Sequence, residues 1–203
     1  MKKKGLLFIV SAPSGTGKTT LCRAMTRIFP DLNFSISYTT RPRRPGDKNG
    51  RDYHFISPED FQKMVAGGEF IEWAEIYGHR YGTSRADLES IRDEGRDVIL
   101  DIDVQGARQL RDKNLPGIFI FLLPPSWKEL KRRLSNRRTE GKAAMEDRLK
   151  KAQGEMAEAR WYDYVIVNDK LEMARERLKA IILAEHCRRE RMMQAMENLI
   201  VQK

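Results

Sequence analysis

The stretch Leu6-Leu7-Phe8-Ile9-Val10-Ser11-Ala12-Pro13-Ser14-Gly15-Thr16-Gly17-Lys18-Thr19-Thr20 decides the fold. Its opening is a short, continuous apolar run, the pattern of a parallel strand covered on both faces. A glycine-containing turn follows, and then Leu21, Ala24, Met25 and Ile28 recur at helical spacing up to Pro30. Between such a strand and helix, Ala12-Pro13-Ser14-Gly15-Thr16-Gly17-Lys18-Thr19-Thr20 reads as a loop for nucleoside triphosphate. Glycines let successive N–H groups turn inward at a helix N-terminus, Lys18 reaches the β and γ phosphates, and the Thr19 hydroxyl meets Mg²⁺. The usual pattern opens with glycine, whereas this one opens with Ala12; a left-handed backbone there would cost about 1–2 kcal/mol.

Working outward, Val98-Ile99-Leu100-Asp101-Ile102 forms a comparable strand behind Gly95, a glycine suited to end a helix. Asp101, at the end of that strand, is the expected direct or indirect partner of the magnesium ion. Asp103 is two residues on and points the same way if the strand continues, so one of the pair could serve a second substrate. Apolar runs at Ile118–Leu123 and Tyr164–Val167 each precede a helical segment. Strands alternating with helices predict a doubly wound parallel sheet of α/β class with right-handed crossovers. Ser126 suits a helix cap, the polar stretch from Ser135 to Lys142 reads as a mobile segment, and a last helix is expected over about 170–200.

Residues 34–84 break the rhythm. Phe34–Thr39, Tyr53–Ile56 and Phe70–Tyr77 read as short strands with a turn near Gly78. Ser57-Pro58-Glu59-Asp60 starts a small helix that Gly67-Gly68 ends. This is an inserted subdomain of mixed strands.

The chain has 203 residues, with 38 basic and 29 acidic side chains and a net charge of +9. Residues 41–52 (RPRRPGDKNGRD) carry a net +3 and residues 128–151 a net +6, so two segments hold the whole excess. In 41–52 the arginines alternate with prolines and glycine, which does not make the solvated face of a helix. Such stripes serve nucleic-acid binders or enzymes that grip two phosphorylated ligands. Two cysteines, Cys22 and Cys187, are too few for a disulfide framework, which points to the cytoplasm. Met1-Lys2-Lys3-Lys4 resembles the start of a signal peptide. The apolar stretch behind it is shorter than the ~7–15 residues of a signal core, and no apolar run nears the ~20 residues of a membrane span.

Several rare motifs stand in register: Ser37-Tyr38-Thr39-Thr40-Arg41-Pro42-Arg43-Arg44-Pro45-Gly46, Gly50-Arg51-Asp52-Tyr53-His54-Phe55, Glu69-Phe70-Ile71-Glu72-Trp73-Ala74, Tyr81-Gly82-Thr83 and Asp101-Ile102-Asp103-Val104-Gln105-Gly106. Together they resemble the guanylate kinase family from about residue 5 to about residue 185. The resemblance implies the reaction ATP + GMP → ADP + GDP with Mg²⁺. It also implies a P-loop core over 1–33, 85–126 and 158–203, a GMP-binding insertion over 34–84 and a small helical lid over 127–157. Carried over by position, Arg41, Arg44, Tyr53 and Tyr81 would hold the GMP phosphate, and Ser37, Glu72, Thr83 and Asp103 the guanine and its surroundings. Arg133, Arg137 and Arg148 would face the ATP phosphates, Asn168 would lie near the adenine, and Thr19 and Asp101 would serve the metal. Lys18 and the five arginines would form the catalytic set.

Base chemistry agrees. Guanine offers N1–H and an N2 amino group to a carboxylate such as Glu72, and its O6 accepts from a hydroxyl such as Ser37 or Thr83. The bland reading of Glu72 is a surface residue on an amphipathic strand. No general base is needed, because the second phosphate pKa of GMP is about 6 and its oxygen is already ionised. His54, His79 and His186 are therefore structural or surface residues. The rival of a different class is a non-catalytic guanylate-kinase-like interaction module, expected to have lost Lys18, Thr19 or Asp101. A nucleic-acid-dependent ATPase would have no use for Glu72, Ser37 and Thr83. ATP and GMP are the expected partners, without nucleic acid or membrane.

Overall fold

The computed structural model describes residues 3–135 and 142–200. In chain order its elements are β1 (Leu7–Ser11), α1 (Lys18–Ile28), β2 (Leu32–Phe34), β3 (Tyr38–Thr39), β4 (His54–Phe55), α2 (Pro58–Ala66), β5 (Phe70–Ile76), β6 (His79–Ser84) and α3 (Arg85–Asp93). They continue with β7 (Asp97–Asp101), α4 (Val104–Asp112), β8 (Ile118–Leu123), α5 (Trp127–Ser135), α6 (Lys142–Ala157), β9 (Tyr164–Val167), α7 (Leu171–His186) and α8 (Arg189–Ile200).

Five parallel strands pair in the order β2-β7-β1-β8-β9. Alternation in β1 explains why the sheet needs cover on both sides. Phe8 and Val10 point into one core with Leu21, Met25, Ile120, Ile166, Leu178 and Ile182. Leu7 and Ile9 point into the other with Val98, Leu100, Leu110, Phe119 and Phe121. The chain leaves β1 for α1 between two neighbours that lie on opposite sides, β7 and β8. This is a topological switch point, where the carboxyl ends of strands open a crevice for ligands. The Ser11 hydroxyl donates to the Ile102 carbonyl at 3.0 Å and ties the ends of β1 and β7 together at that crevice.

The second sheet, β4-β3-β6-β5, is mixed. Its β5–β6 hairpin turns at Tyr77-Gly78, both with positive φ (51° and 76°), as a two-residue hairpin turn demands. Phe34 belongs to β2 in the parallel sheet, so only the residues after it pass into this layer. The helix α2 is capped as read: the Ser57 hydroxyl accepts the Asp60 N–H at 3.0 Å. Gly95 takes φ 84° just beyond α3, and the Ser126 hydroxyl accepts the Glu129 N–H at 3.1 Å at the head of α5.

Two further expectations change. The last helix is two helices: the Cys187 N–H bonds the Ala184 carbonyl at 3.0 Å, a tightened turn that stops α7. The apolar stripe of α7 ends at Ile182, while Met192, Met193 and Met196 of α8 are exposed. Asp103 is not a strand residue: β7 stops at Asp101, and the Asp103 carboxylate caps α4 by accepting the Gly106 N–H at 2.8 Å. Cys22 is buried in the core, as expected of a small hydrophobe.

Gly5 leads into β1 where the backbone of Arg96 passes so close that a methyl group would overlap its carbonyl oxygen. Gly5→Ala is therefore expected to cost about 2 kcal/mol and to lower Tm by roughly 4–8 °C. An unchanged thermal unfolding midpoint would show that this approach is not as tight as described.

Candidate active site

The loop after β1 is built from the backbone outward. The Thr16 hydroxyl donates to the Pro13 carbonyl at 2.8 Å, and Gly15 and Gly17 take φ 87° and 91°. Those left-handed turns aim consecutive N–H groups into one nest ahead of α1. Ala12 is not among the residues with positive φ, and its methyl is buried in the core with Leu21 and Cys22. The alanine thus carries no left-handed penalty. Lys18 Nζ lies 2.9 Å from Asp101 Oδ1 and also donates to the Ile102 carbonyl. Burial works to lower the Lys18 pKa, but the Asp101 carboxylate outweighs it and the net shift is upward, so the ammonium stays charged. Thr19 donates its hydroxyl to the second Asp101 oxygen.

This loop forms one wall of a cleft of about 490 Å³. The facing wall is the inserted sheet and the loop 41–52. Arg41, nine-tenths buried, donates to the Pro42 carbonyl at 2.8 Å and to Asp47 Oδ2 at 2.9 Å. Its guanidinium stands 5.4 Å from the Tyr53 ring centre. Asp47 Oδ2 also accepts the Arg44 backbone N–H at 2.8 Å, so one carboxylate holds the Arg41 guanidinium and the backbone of the turn that carries Arg44. The turn Arg44-Pro45-Gly46-Asp47 supplies this geometry, with Pro at the second position and Gly46 at φ 91°. Tyr53 and Tyr81 pack edge to face at 5.7 Å beside them.

Deeper in the cleft sits Glu72, 4% exposed. The register of β5 slips between Phe70 and Glu72, a bulge that leaves Ile71 in the core and turns the Glu72 carboxylate inward. Directly across the ladder, the Thr83 hydroxyl donates to Glu72 Oε1 at 2.5 Å. Gly106 on α4 makes room, since any side chain there would strike the Glu72 carboxylate. Burial pushes Glu72 up to about 7; the Thr83 bond opposes that shift and the Asp103 charge adds to it.

A family model described as guanylate kinase matches residues 4–185. A guanylate kinase of Geobacter sulfurreducens is 51% identical over 98% of this chain and 98% of its own length. One from Syntrophotalea carbinolica is 53% identical, covering 94% of this chain and 91% of the relative. The chain belongs to the guanylate kinase family. The crystal structure of guanylate kinase from Anaplasma phagocytophilum superposes with a TM-score of 0.76 at 34% identity, covering 94% of this chain and 91% of the other.

Within this guanylate kinase fold the structure gathers most of the residues singled out in the sequence. Ala12 through Thr20, Ser37, Arg41, Arg44, Tyr53, Glu72, Tyr81, Asp101, Asp103 and Arg148 all line the cleft. Thr83 stands behind Glu72 and does not line it. Arg133 and Asn168 also stay outside the lining: Asn168 Nδ2 donates to the Thr16 carbonyl at 2.6 Å, and Arg133 reaches the Thr16 and Asn168 carbonyls at 3.4 and 3.3 Å. Both residues brace the phosphate loop. Arg137 lies outside the described residues. None of the three histidines lines the cleft; His54 stacks on Tyr38 at 4.6 Å, and His186 meets Asp97 at 2.6 Å.

Other lining residues had no signal of their own. Arg23, on α1, bonds Asp52 Oδ1 at 3.0 Å and lies over the Phe34 ring. Lys151 and Glu155 project from α6, whose Arg148 and Lys151 sit 4.5 and 5.5 Å from the Tyr77 ring centre. Through Tyr77 this helix meets the tip of the β5–β6 hairpin and bridges the cleft.

The raised Glu72 pKa has a thermodynamic consequence. Between its ordinary value of 4.5 and about 7 the folded state holds more protons than the unfolded chain, so stability falls as pH rises through that window. Glu72→Gln removes this loss. Its Tm gain over the parent protein should be larger at pH 8 than at pH 5; an equal difference at both pH values would contradict the burial of an ionisable carboxyl here.

Proposed function

We propose that this chain carries the γ-phosphoryl of ATP to GMP, releasing ADP and GDP, in the cytoplasm. One observation carries the reading: a single cleft joins a phosphate loop to a buried carboxylate and is lined by two arginines, Arg41 with its guanidinium on Asp47 and Arg44 with its backbone N–H on the same carboxylate. ATP phosphates belong on the nest of Gly15 to Thr19, with Lys18 at the transferring group. The GMP phosphate belongs on Arg41, Arg44, Tyr53 and Tyr81, and its base at Glu72, with Ser37 and Asp103 alongside. Planar guanidinium forks grip a phosphate by paired bonds that lysine cannot copy.

A carboxylate accepts the N1–H and N2 amino hydrogens of guanine, whereas adenine would face it with an acceptor nitrogen. Sites built on such bonds discriminate by about 10⁴–10⁵. Thr83 acts by orienting Glu72 through its hydroxyl. The nucleophile, a phosphate oxygen of GMP, arrives ionised, so the protein's task is to neutralise two polyanions and align them.

The Thr19 hydroxyl and the Asp101 carboxylate form an all-oxygen pair at the loop, a donor set that suits Mg²⁺ completed by phosphate oxygens and water. When bound, the ion would neutralise charge on the phosphates. Lys18 stays charged beside it through Asp101, and Asn168 and Arg133 keep the loop's shape from behind. The helix α6, with Arg148, covers the cleft and excludes water, so that phosphoryl passes to GMP instead of to solvent. A non-catalytic interaction module would have no need for Lys18, Thr19 and Asp101 to converge as they do.

A coupled assay of ADP formation with GMP, AMP, UMP and CMP offered in turn tests the reading: only GMP should sustain rapid turnover, and equal rates with all four would overturn it. Arg44→Lys should raise the GMP KM or cut turnover by at least tenfold with ATP binding nearly intact; unchanged kinetics would remove Arg44 from the phosphate site. Glu72→Gln should erode the preference for GMP over AMP, and an unaltered ratio would place base reading elsewhere.

A further inference from the structure

Helix α4 grips the backbone on both sides of Glu72. Gln109 makes two bonds to one residue of the edge strand β5: its Oε1 accepts the Trp73 N–H at 3.2 Å and its Nε2 donates to the Trp73 carbonyl at 2.6 Å. One turn further on, Lys113 Nζ donates to the Ile71 carbonyl at 2.7 Å, at the bulge itself. Gly106 and Gln109 lie at helical spacing on one face of α4, and Lys113 follows at its C-cap. The first lets the Glu72 carboxylate approach, and the other two hold the peptide groups of residues 73 and 71. Asp103, which caps the same helix, lines the same end of the cleft.

An edge strand leaves its N–H and C=O groups unpaired unless something covers them. Here the Gln109 amide takes the place of a neighbouring strand at one residue, and that residue adjoins the base-reading carboxylate. A bulge leaves its extra residue unpaired and disrupts the ladder locally. The bonds at 71 and 73 hold that backbone where Glu72 is aimed.

We propose that Gln109 and Lys113 are positioning residues for nucleobase selection. They clasp β5 of the insertion to α4 of the core, so that the Glu72 carboxylate and the Asp103 carboxylate are presented to the base as one unit. The proposal rests on the reading that Glu72 receives the guanine hydrogens. Gln109 is uncharged and does not line the cleft, so its effect on selectivity travels through the strand it holds.

The test is the ratio of kcat/KM for GMP to that for IMP, which lacks only the N2 amino group that a carboxylate would bind. Gln109→Leu should lower this ratio roughly tenfold, the order expected when hydrogen bonds that fix a polar group are lost. The GMP KM should rise while the ATP KM stays within about twofold. Lys113→Met, at an exposed position and expected to fold whatever happens to Gln109→Leu, should lower the ratio in the same direction; Lys113→Arg, which restores a donor, should recover it. A merely structural clasp would lower Tm and depress GMP and IMP turnover equally, leaving the ratio unmoved, and that result overturns the proposal. Glu72→Gln run in parallel separates the two layers. If it collapses the ratio while the Gln109 and Lys113 variants do not, the clasp alone is refuted. If Glu72→Gln leaves the ratio intact, the base reading falls and the clasp with it.

Discussion

Two phosphorylated nucleotides repel each other, and a protein that joins them must supply positive charge from two directions without letting it disperse into solvent. That constraint organises this structure. The carboxyl ends of parallel strands provide one origin, where backbone N–H groups, Lys18 and the start of α1 converge on a single nest. The insertion provides the other, where Arg41 and Arg44 line the cleft and Asp47 pairs with the Arg41 guanidinium and accepts the Arg44 backbone N–H. Cationic side chains here are paired with carboxylates: Lys18 with Asp101, Arg41 with Asp47, and Arg133, which braces the loop from behind, with Glu129. The net charge read from composition therefore understates the device, because the orientation comes from its acids.

Glu72 is the opposite case, a negative group kept in a pocket made for anions. Leaving it buried and ionised is costly, and its pKa of about 7 records the cost. The Thr83 hydroxyl offsets part of it. In the proposed reading guanine brings the N–H donors that offset the rest, so the ligand that would satisfy the pocket is also the one selected. A base without those donors leaves the carboxylate unpaired, which is the physical root of discrimination at such sites.

How much was legible in the sequence depended on range. The parallel sheet announced itself through local apolar runs, and β8 and β9 run over Ile118–Leu123 and Tyr164–Val167 as read. The phosphate loop and the cap at Ser57 are likewise written within a few consecutive residues. The inserted sheet was legible as short strands, but Phe34 joined the parallel sheet because its pairing with Ile99 lies far along the chain. The bulge at Ile71 leaves three consecutive buried residues, Phe70, Ile71 and Glu72, where alternation would expect one to face water. Contacts between a side chain and a distant backbone leave no pattern at all: Asn168 and Arg133 on Thr16, and Gln109 on Trp73, could only be seen folded. Asp103 is singled out by its motif and does line the cleft, whereas its capping of α4 depends on where β7 stops.

In the proposed reaction the cleft passes phosphoryl between two nucleotides and shields it from water. Phosphorus NMR of the full chain with ATP, GMP and magnesium follows the fate of that group directly. GDP and ADP signals should grow together, one for one, with no inorganic phosphate beyond the level without GMP. Growth of inorganic phosphate while the GMP signal stays constant would contradict it.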